Sequence, residues 1–175
     1  MVADSRIVWL PVAAIAICQP AQATVYLTVE QAQRLMFGDG ELTPVALALS
    51  ATDAATVERE TGTRYYPGAL RAWKAPDGYF FADAVVGKHD LISYAVALGL
   101  DGRIRQVEIL EYREAYGGAI RGAGWRRQFT GRSHADPVQI GRDIQNISGA
   151  TLSCQHVTDG IRRLLAIYAI AIAGH

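Results

Sequence analysis

The chain has 175 residues, half of them apolar, with 17 Lys and Arg balancing 17 Asp and Glu. That is enough for one compact domain with its own core. The zero formal charge excludes a global field that would recruit nucleic acid or an anionic membrane. A local excess of arginine (Arg121, Arg126, Arg127, Arg132 and Arg142 against Asp136 and Asp143) reads as a solvated face rather than a dock for an acidic partner or a phosphate.

Arg6, the apolar run Ile7 to Cys18 and the small-x-small pattern Ala21-Gln22-Ala23 have the layout of a secretory signal peptide. Residues 1–23 are read as that signal, with cleavage expected after Ala23. The run is short for a membrane span, and an uncleaved N-terminal anchor is the alternative. Bulky Ile17 before Cys18 argues against a lipoprotein signal. The mature chain, 24–175, is expected in the periplasm or otherwise outside the cytoplasm. It keeps one cysteine, Cys154, so no intrachain disulfide is expected. Its histidines, His89, His134, His156 and His175, show no paired ligand spacing, and no metal site is expected.

Along the mature chain, a short extended piece precedes Thr28, a helix N-cap with Gln31 three residues later. L-T-P-V-A-L-A-L-S is apolar and extended up to Ser50. A-T-D-A-A-T-V-E-R-E-T follows as a helix that Gly62 stops. G-Y-F-F-A-D-A-V-V-G and L-I-S-Y-A-V-A-L-G-L read as strands. Asp101-Gly102 is a hairpin turn, and R-I-R-Q-V-E-I-L-E-Y returns as a third strand with apolar Ile104, Val107 and Ile109 in imperfect phase. Glu114 to Phe129 is a glycine-rich loop leading into a short helix. From Cys154 a helix places Val157, Ile161, Leu164, Leu165, Tyr168 and Ile172 on one face. Leu164 to Ala173 is apolar but too short to span a membrane, so it reads as core-facing. The expected architecture is a single α+β domain, an antiparallel sheet with helices packed against it.

The stretch N-I-S-G-A-T-L-S, Asn146 to Ser153, sets a bare, hydroxyl-rich turn at the entrance of that last helix. From the residues alone it is an ordinary helix entrance, with Ser153 as N-cap and Gly149-Ala150 a close backbone approach. A nucleophile elbow would need Gly-x-Ser-x-Gly, and no carboxylate is placed to orient His156. G-G-A-I-R-G-A-G has the wrong spacing for a dinucleotide fingerprint and precedes no βαβ unit; no Walker A sequence occurs.

S-G-A-T-L-S followed by V-T-D-G-I-R-R-L-L closely resembles the FMN-binding domain of the C subunit of the sodium-pumping NADH:quinone reductase and the G subunit of the Rnf complex, also found in free-standing secreted proteins. The resemblance spans roughly 79–165 within a domain of 24–175. It implies that Thr151 is esterified to the phosphate of FMN by a separate Mg-dependent flavin transferase using FAD. Ser148, Gly149, Ala150, Leu152 and Ser153 then act as recognition and cofactor-binding residues. A second match, Y-R-E-A-Y-G-G-A-I-R-G-A-G-W-R-R-Q-F-T-G-R, implies that Glu114, Ala115, Tyr116 and Gly117 line the flavin pocket, with Trp125 and Phe129 packed beneath it. Where the family often has Asp six residues before the acceptor, this chain has Gln145.

The function the resemblance implies is an extracytoplasmic electron-transfer flavoprotein. Its expected partners are the flavin transferase and extracytoplasmic or membrane redox proteins, with no nucleic acid. No catalytic residue is assigned, because no acid–base pair sits near the flavin loop; a carrier or redox subunit is expected rather than a stand-alone enzyme. The alternatives are a flavin-free binding or accessory module of the same fold, which Gln145 favours, and a flavin-dependent reductase of a small substrate.

Overall fold

The computed structural model describes residues 24–66, 68, 70–114 and 117–174. The signal-peptide expectation, on residues 1–23, lies outside the described residues, as do Ala115 and Tyr116.

Local chemistry starts the first helices where the sequence puts their caps. After strand β1 (Thr24–Val25), Thr28 and Gln31 exchange the reciprocal side-chain bonds of a capping box and helix α1 (Val29–Phe37) begins. Strand β2 (Thr43–Val45) comes out of the apolar extended segment. Ser50 and Asp53 form a second capping box that opens α2 (Ala51–Thr61). Gly62 closes α2 at φ 68°, the left-handed conformation that glycine adopts without a Cβ penalty.

Strand β3 (Arg71–Ala75) is an addition to the sequence reading. It pairs with β4 (Gly78–Val86), which runs antiparallel to β5 (Leu91–Gly99), which pairs in turn with β6 (Ile104–Tyr112). The result is a six-stranded antiparallel sheet in the order β1-β6-β5-β4-β3-β2. The α+β architecture expected from the sequence is the one observed.

The two faces of the sheet bury different sets of side chains. Phe80, Ala82, Ala95 and Ala97 join Ala32 and Met36 of α1 in the smaller core. Phe37 and Trp73 set their rings edge-on to Phe80, at 6.5 and 5.5 Å between centroids. The alternate residues Phe81, Val85, Ile92, Tyr94, Val96 and Leu98 enter the larger core with the C-terminal helix α4 (Thr151–Tyr168). Between β6 and α4 the chain makes a short α-helix, α3 (Ala123–Arg126), flanked by 3-10 turns at Gly118–Arg121 and Arg127–Phe129.

The imperfect phase of β6 has a structural cause. Its register with β5 shifts between Ser93 and Tyr94 and again between Ala97 and Leu98. Each shift is a bulge, an extra residue on β6 that resets which side chains face the helix. Ile104, Val107, Ile109 and Tyr112 therefore all reach the larger core, while Leu110 falls into the smaller one.

Helix α4 buries Val157, Ile161, Leu164, Leu165 and Tyr168, five of the positions its periodicity predicts; Ile172 packs against the same core from a π-helical turn at Ala169–Ala173. Among the described residues no helix is long and apolar enough to cross a membrane. A charged pair crosses this core as well. Arg163 of α4 and Tyr94 of β5 both donate to Asp83 Oδ2 of β4, at 2.8 and 2.7 Å.

Three arginines of that excess have partners within the chain. Arg126 bonds the Val107 carbonyl and pairs with Glu108, Arg132 sits between Asp136 and Asp143, and Arg121 lies 3.4 Å above the Tyr26 ring.

Candidate functional site

The helix entrance is not capped by Ser153. Helix α4 begins at Thr151, three residues earlier than that reading requires, and its N-cap is Ala150, which has no side-chain oxygen. Ser153 is buried in the first turn, where its Oγ lies 2.9 Å from the Tyr112 hydroxyl. Without a capping side chain, the first N–H groups of α4 remain available to an acceptor outside the helix.

The turn before the helix leaves Thr151 accessible. Ala150 N–H closes onto the Ile147 carbonyl at 3.0 Å. Gly149 takes φ 81° with no neighbouring atom within 4 Å of where a Cβ would stand. Ala150 itself is buried, while Ser148, Gly149, Thr151 and Leu152 are exposed. The Thr151 hydroxyl oxygen accepts one hydrogen bond, from Asn146 Nδ2 at 3.0 Å.

Gly149, Ala150, Thr151, Leu152 and Ser153 form one wall of a cleft of about 440 Å³ whose other wall is Glu114 with Lys88 and His89. That volume is within the ~300–1,000 Å³ range typical of small-molecule sites. Ser148 is outside the lining.

Glu114 is held by the turn between β4 and β5. Its Oε1 accepts the N–H of His89 at 2.6 Å and of Asp90 at 3.0 Å. Burial alone would raise the Glu114 pKa, but these bonds and a third from the Lys88 N–H hold it below the ordinary glutamate value. The turn is also closed by Gly87 N–H on the Asp90 carbonyl. It is tied to α4 by His156 Nδ1–H, which donates to the carbonyls of Val86 and Gly87 at 2.7 and 3.0 Å. A Cβ at Gly87 would lie 2.6 Å from Glu114 Oε1, so a side chain there would push the carboxylate away from its backbone partners.

Gly117, in the loop after β6, presses on the same site. At φ 96°, a Cβ there would lie 2.5 Å from the Tyr112 hydroxyl and 2.9 Å from Ser153 Oγ. Burial raises the Tyr112 pKa against the opposing bond from Ser153, so the phenol stays protonated. Cys154, next along the helix, is a buried thiol whose pKa burial also raises, and it serves as packing.

Trp125 and Phe129 are buried with ring centroids 5.0 Å apart. Trp125 Nε1–H donates to the Gln145 carbonyl at 2.9 Å, and Gln128 Oε1 accepts the Gln145 N–H at 2.8 Å. The backbone leading to Thr151 is thus anchored on both sides at Gln145. Asp143, the nearest carboxylate upstream, accepts the N–H groups of Val138 and Gln139 at 3.1 and 2.8 Å. It is committed to its own loop.

The structure therefore gathers Thr151, Gly149, Ala150, Leu152, Ser153 and Glu114 around one cleft and sets Gly117 against the Tyr112–Ser153 pair. Residues 87–166 match the model of the FMN-binding domain family. This segment is an FMN-binding domain. No curated protein matches the chain. The FMN-binding domain begins at the β4–β5 turn and runs into α4, so it contains every residue that lines the cleft. Its cofactor class supports a flavin-binding, electron-transfer role.

The chemistry of the donor set fits FMN. The uncapped N-terminus of α4 and Lys88 both line the cleft, a combination suited to a phosphate ester. Lys88, His89, Asn146 and the Gly87 turn were not among the residues expected from the sequence. A turn of unremarkable composition carries no motif, and only its hydrogen bonds to Glu114 bring it to the FMN-binding domain's cleft.

Proposed function

We propose that this chain is an extracytoplasmic electron carrier that holds FMN through a phosphoester bond to Thr151 Oγ1. The observation that carries the reading is the position of that hydroxyl. It is exposed at the first residue of an uncapped helix, inside the cleft of the FMN-binding domain.

Thr151 is the anchor in this reading. The N–H groups at the start of α4 and the Lys88 ammonium offset the charge of the phosphodiester. Gly149 and Ala150 leave room for a flavin transferase to approach. Glu114 holds the Lys88 turn in place, and Tyr116 is assigned as the stacking partner of the isoalloxazine from its residue type and its place in the sequence. When bound, FMN supplies the electron-transfer chemistry, and the protein sets its position and potential. A covalent link prevents loss of the cofactor outside the cytoplasm, where replacement is scarce. The membrane or extracytoplasmic redox partners would meet the exposed edge of the ring.

The test is the intact mass of the mature protein made with and without an active flavin transferase. The expected result is a gain of one FMN less one water, abolished by Thr151→Ala. No gain, with the transferase active on a second acceptor, favours a flavin-free binding module, the reading to which the exposed amide at Gln145 would then point. Tyr116→Ala separately tests stacking: an unchanged flavin spectrum and potential would remove Tyr116 from the site.

A further inference from the structure

We propose that Asn146 positions the Thr151 hydroxyl for flavin transfer and then holds the ester oxygen it becomes, a role that rests on the attachment reading above. Asn146 Nδ2 donates to Thr151 Oγ1 at 3.0 Å across the Gly149 turn. Among the described residues it is the one side chain bonded to that oxygen. A threonine inside a helix often turns its hydroxyl back on a carbonyl of the preceding turn. At the first helical position the corresponding carbonyl, of Ile147, already accepts the Ala150 N–H. The side-chain bond from Asn146 is the contact that orients the Thr151 hydroxyl.

The residue at the family's carboxylate position does not supply this contact. Gln145 is fixed through its backbone by Gln128 and Trp125, and its exposed side chain bonds no described residue. The polar group on the acceptor oxygen comes instead from the next residue, as an amide N–H.

The transfer balances as follows. Thr151 Oγ1 attacks the phosphorus of the FMN half of a flavin dinucleotide. The Oγ1–P bond forms, the P–O bond to the nucleotide half breaks, and AMP leaves. The hydroxyl proton passes to the transferase or to water, and no oxidation state changes. An sp³ oxygen has two lone pairs, so Oγ1 keeps one for attack while the other accepts from Asn146. The ester oxygen can still accept that N–H. A carboxylate in the same place would lose the hydroxyl hydrogen it bonds and would then face the phosphodiester anion. A neutral donor serves both states.

The experiment follows the mass gain over time for the mature chain with transferase, Mg and FAD, comparing wild type, Asn146→Ala and Asn146→Asp. Melting temperatures establish that each variant is folded. Loss of one hydrogen bond to the reacting oxygen is expected to slow loading by about tenfold in both variants. Loaded Asn146→Ala should also show lower flavin fluorescence anisotropy than loaded wild type, a readout that a purely structural role would leave unmoved. Asn146→Ala loading at the wild-type rate would overturn the role of Asn146 and leave Thr151 as the attachment site. Asn146→Asp loading as fast as wild type would also overturn it, since that position would then serve as a base rather than a donor. A wild-type chain that gains no mass, beside a second acceptor that does, would overturn both readings together.

Discussion

The Glu114 carboxylate accepts the N–H of His89 at 2.6 Å, so the end of β6 fixes the turn that brings Lys88 to the cleft. The bond joins residues 25 positions apart.

This clamp predicts a pH-dependent stability. Burial would raise the Glu114 pKa, but the backbone bonds from Asp90, His89 and Lys88 outweigh it and set the folded-state value below the ordinary one. A depressed pKa contributes stability above the unfolded-state value, and that contribution is lost as the pH falls through the folded-state value. Glu114→Gln should therefore cost about 1 kcal/mol near neutral pH, the low end for charged hydrogen bonds at a half-exposed site. The gap in melting temperature should close in the acidic range below the usual glutamate pKa. A gap that stays constant with pH would count against the clamp.

Lys88 makes no side-chain hydrogen bond or ion pair with any described residue, and it lines the same cleft as Thr151. If it offsets a phosphodiester charge, Lys88→Glu should slow flavin loading several-fold at low salt, and added salt should narrow the difference as the charges are screened. Lys88→Arg should load near the wild-type rate. Equal rates for all three proteins at low salt would remove Lys88 from the site.

Gly117 combines a left-handed backbone, φ 96°, with contact against two hydroxyls. Gly117→Ala should destabilise the fold by about 1–3 kcal/mol through backbone strain and overpacking. It should also disturb the Tyr112–Ser153 bond of 2.9 Å. Urea unfolding measures the first effect. A variant as stable as wild type would show that the loop relaxes at no cost.

Asp83 receives both Tyr94 and Arg163 through Oδ2, and its side chain is 1% exposed. Burial, followed by the Asp83 charge, pushes the Tyr94 pKa well above its ordinary value, so the phenol remains a donor. Asp83→Ala would leave the Arg163 guanidinium buried without its partner and should cost about 3–5 kcal/mol. Replacing Asp83 and Arg163 together with apolar residues should cost less than Asp83→Ala alone, because no uncompensated charge remains. Chemical denaturation of the single and double variants decides this, and additive losses would contradict it.

What the sequence determined by itself was carried by signals a few residues long. Thr28 with Gln31, Ser50 at the head of α2, Gly62 at its end and the Asp101-Gly102 turn are each complete within one turn of chain, so their chemistry can be read in place. The same holds for the apolar face of α4 and for the S-G-A-T segment that leads to the FMN-binding domain. Strand β3 escaped because Arg71 and Lys74 put exposed charges into a short run whose partner, β4, supplies the rest of the pattern.

Tertiary structure decided whatever depends on residues far apart. Ser153 has the side chain of an N-cap, yet it lies inside the helix because Tyr112, 41 residues earlier, takes its hydroxyl. Asp83 and Arg163 meet across 80 residues, and no local pattern distinguishes them from surface charges. The bulges of β6 exist only relative to its register with β5. The β4–β5 turn is ordinary until Glu114 and His156 close on it. A cap or a turn is satisfied by its neighbours, whereas a cleft is made of groups whose partners the chain must fold to find.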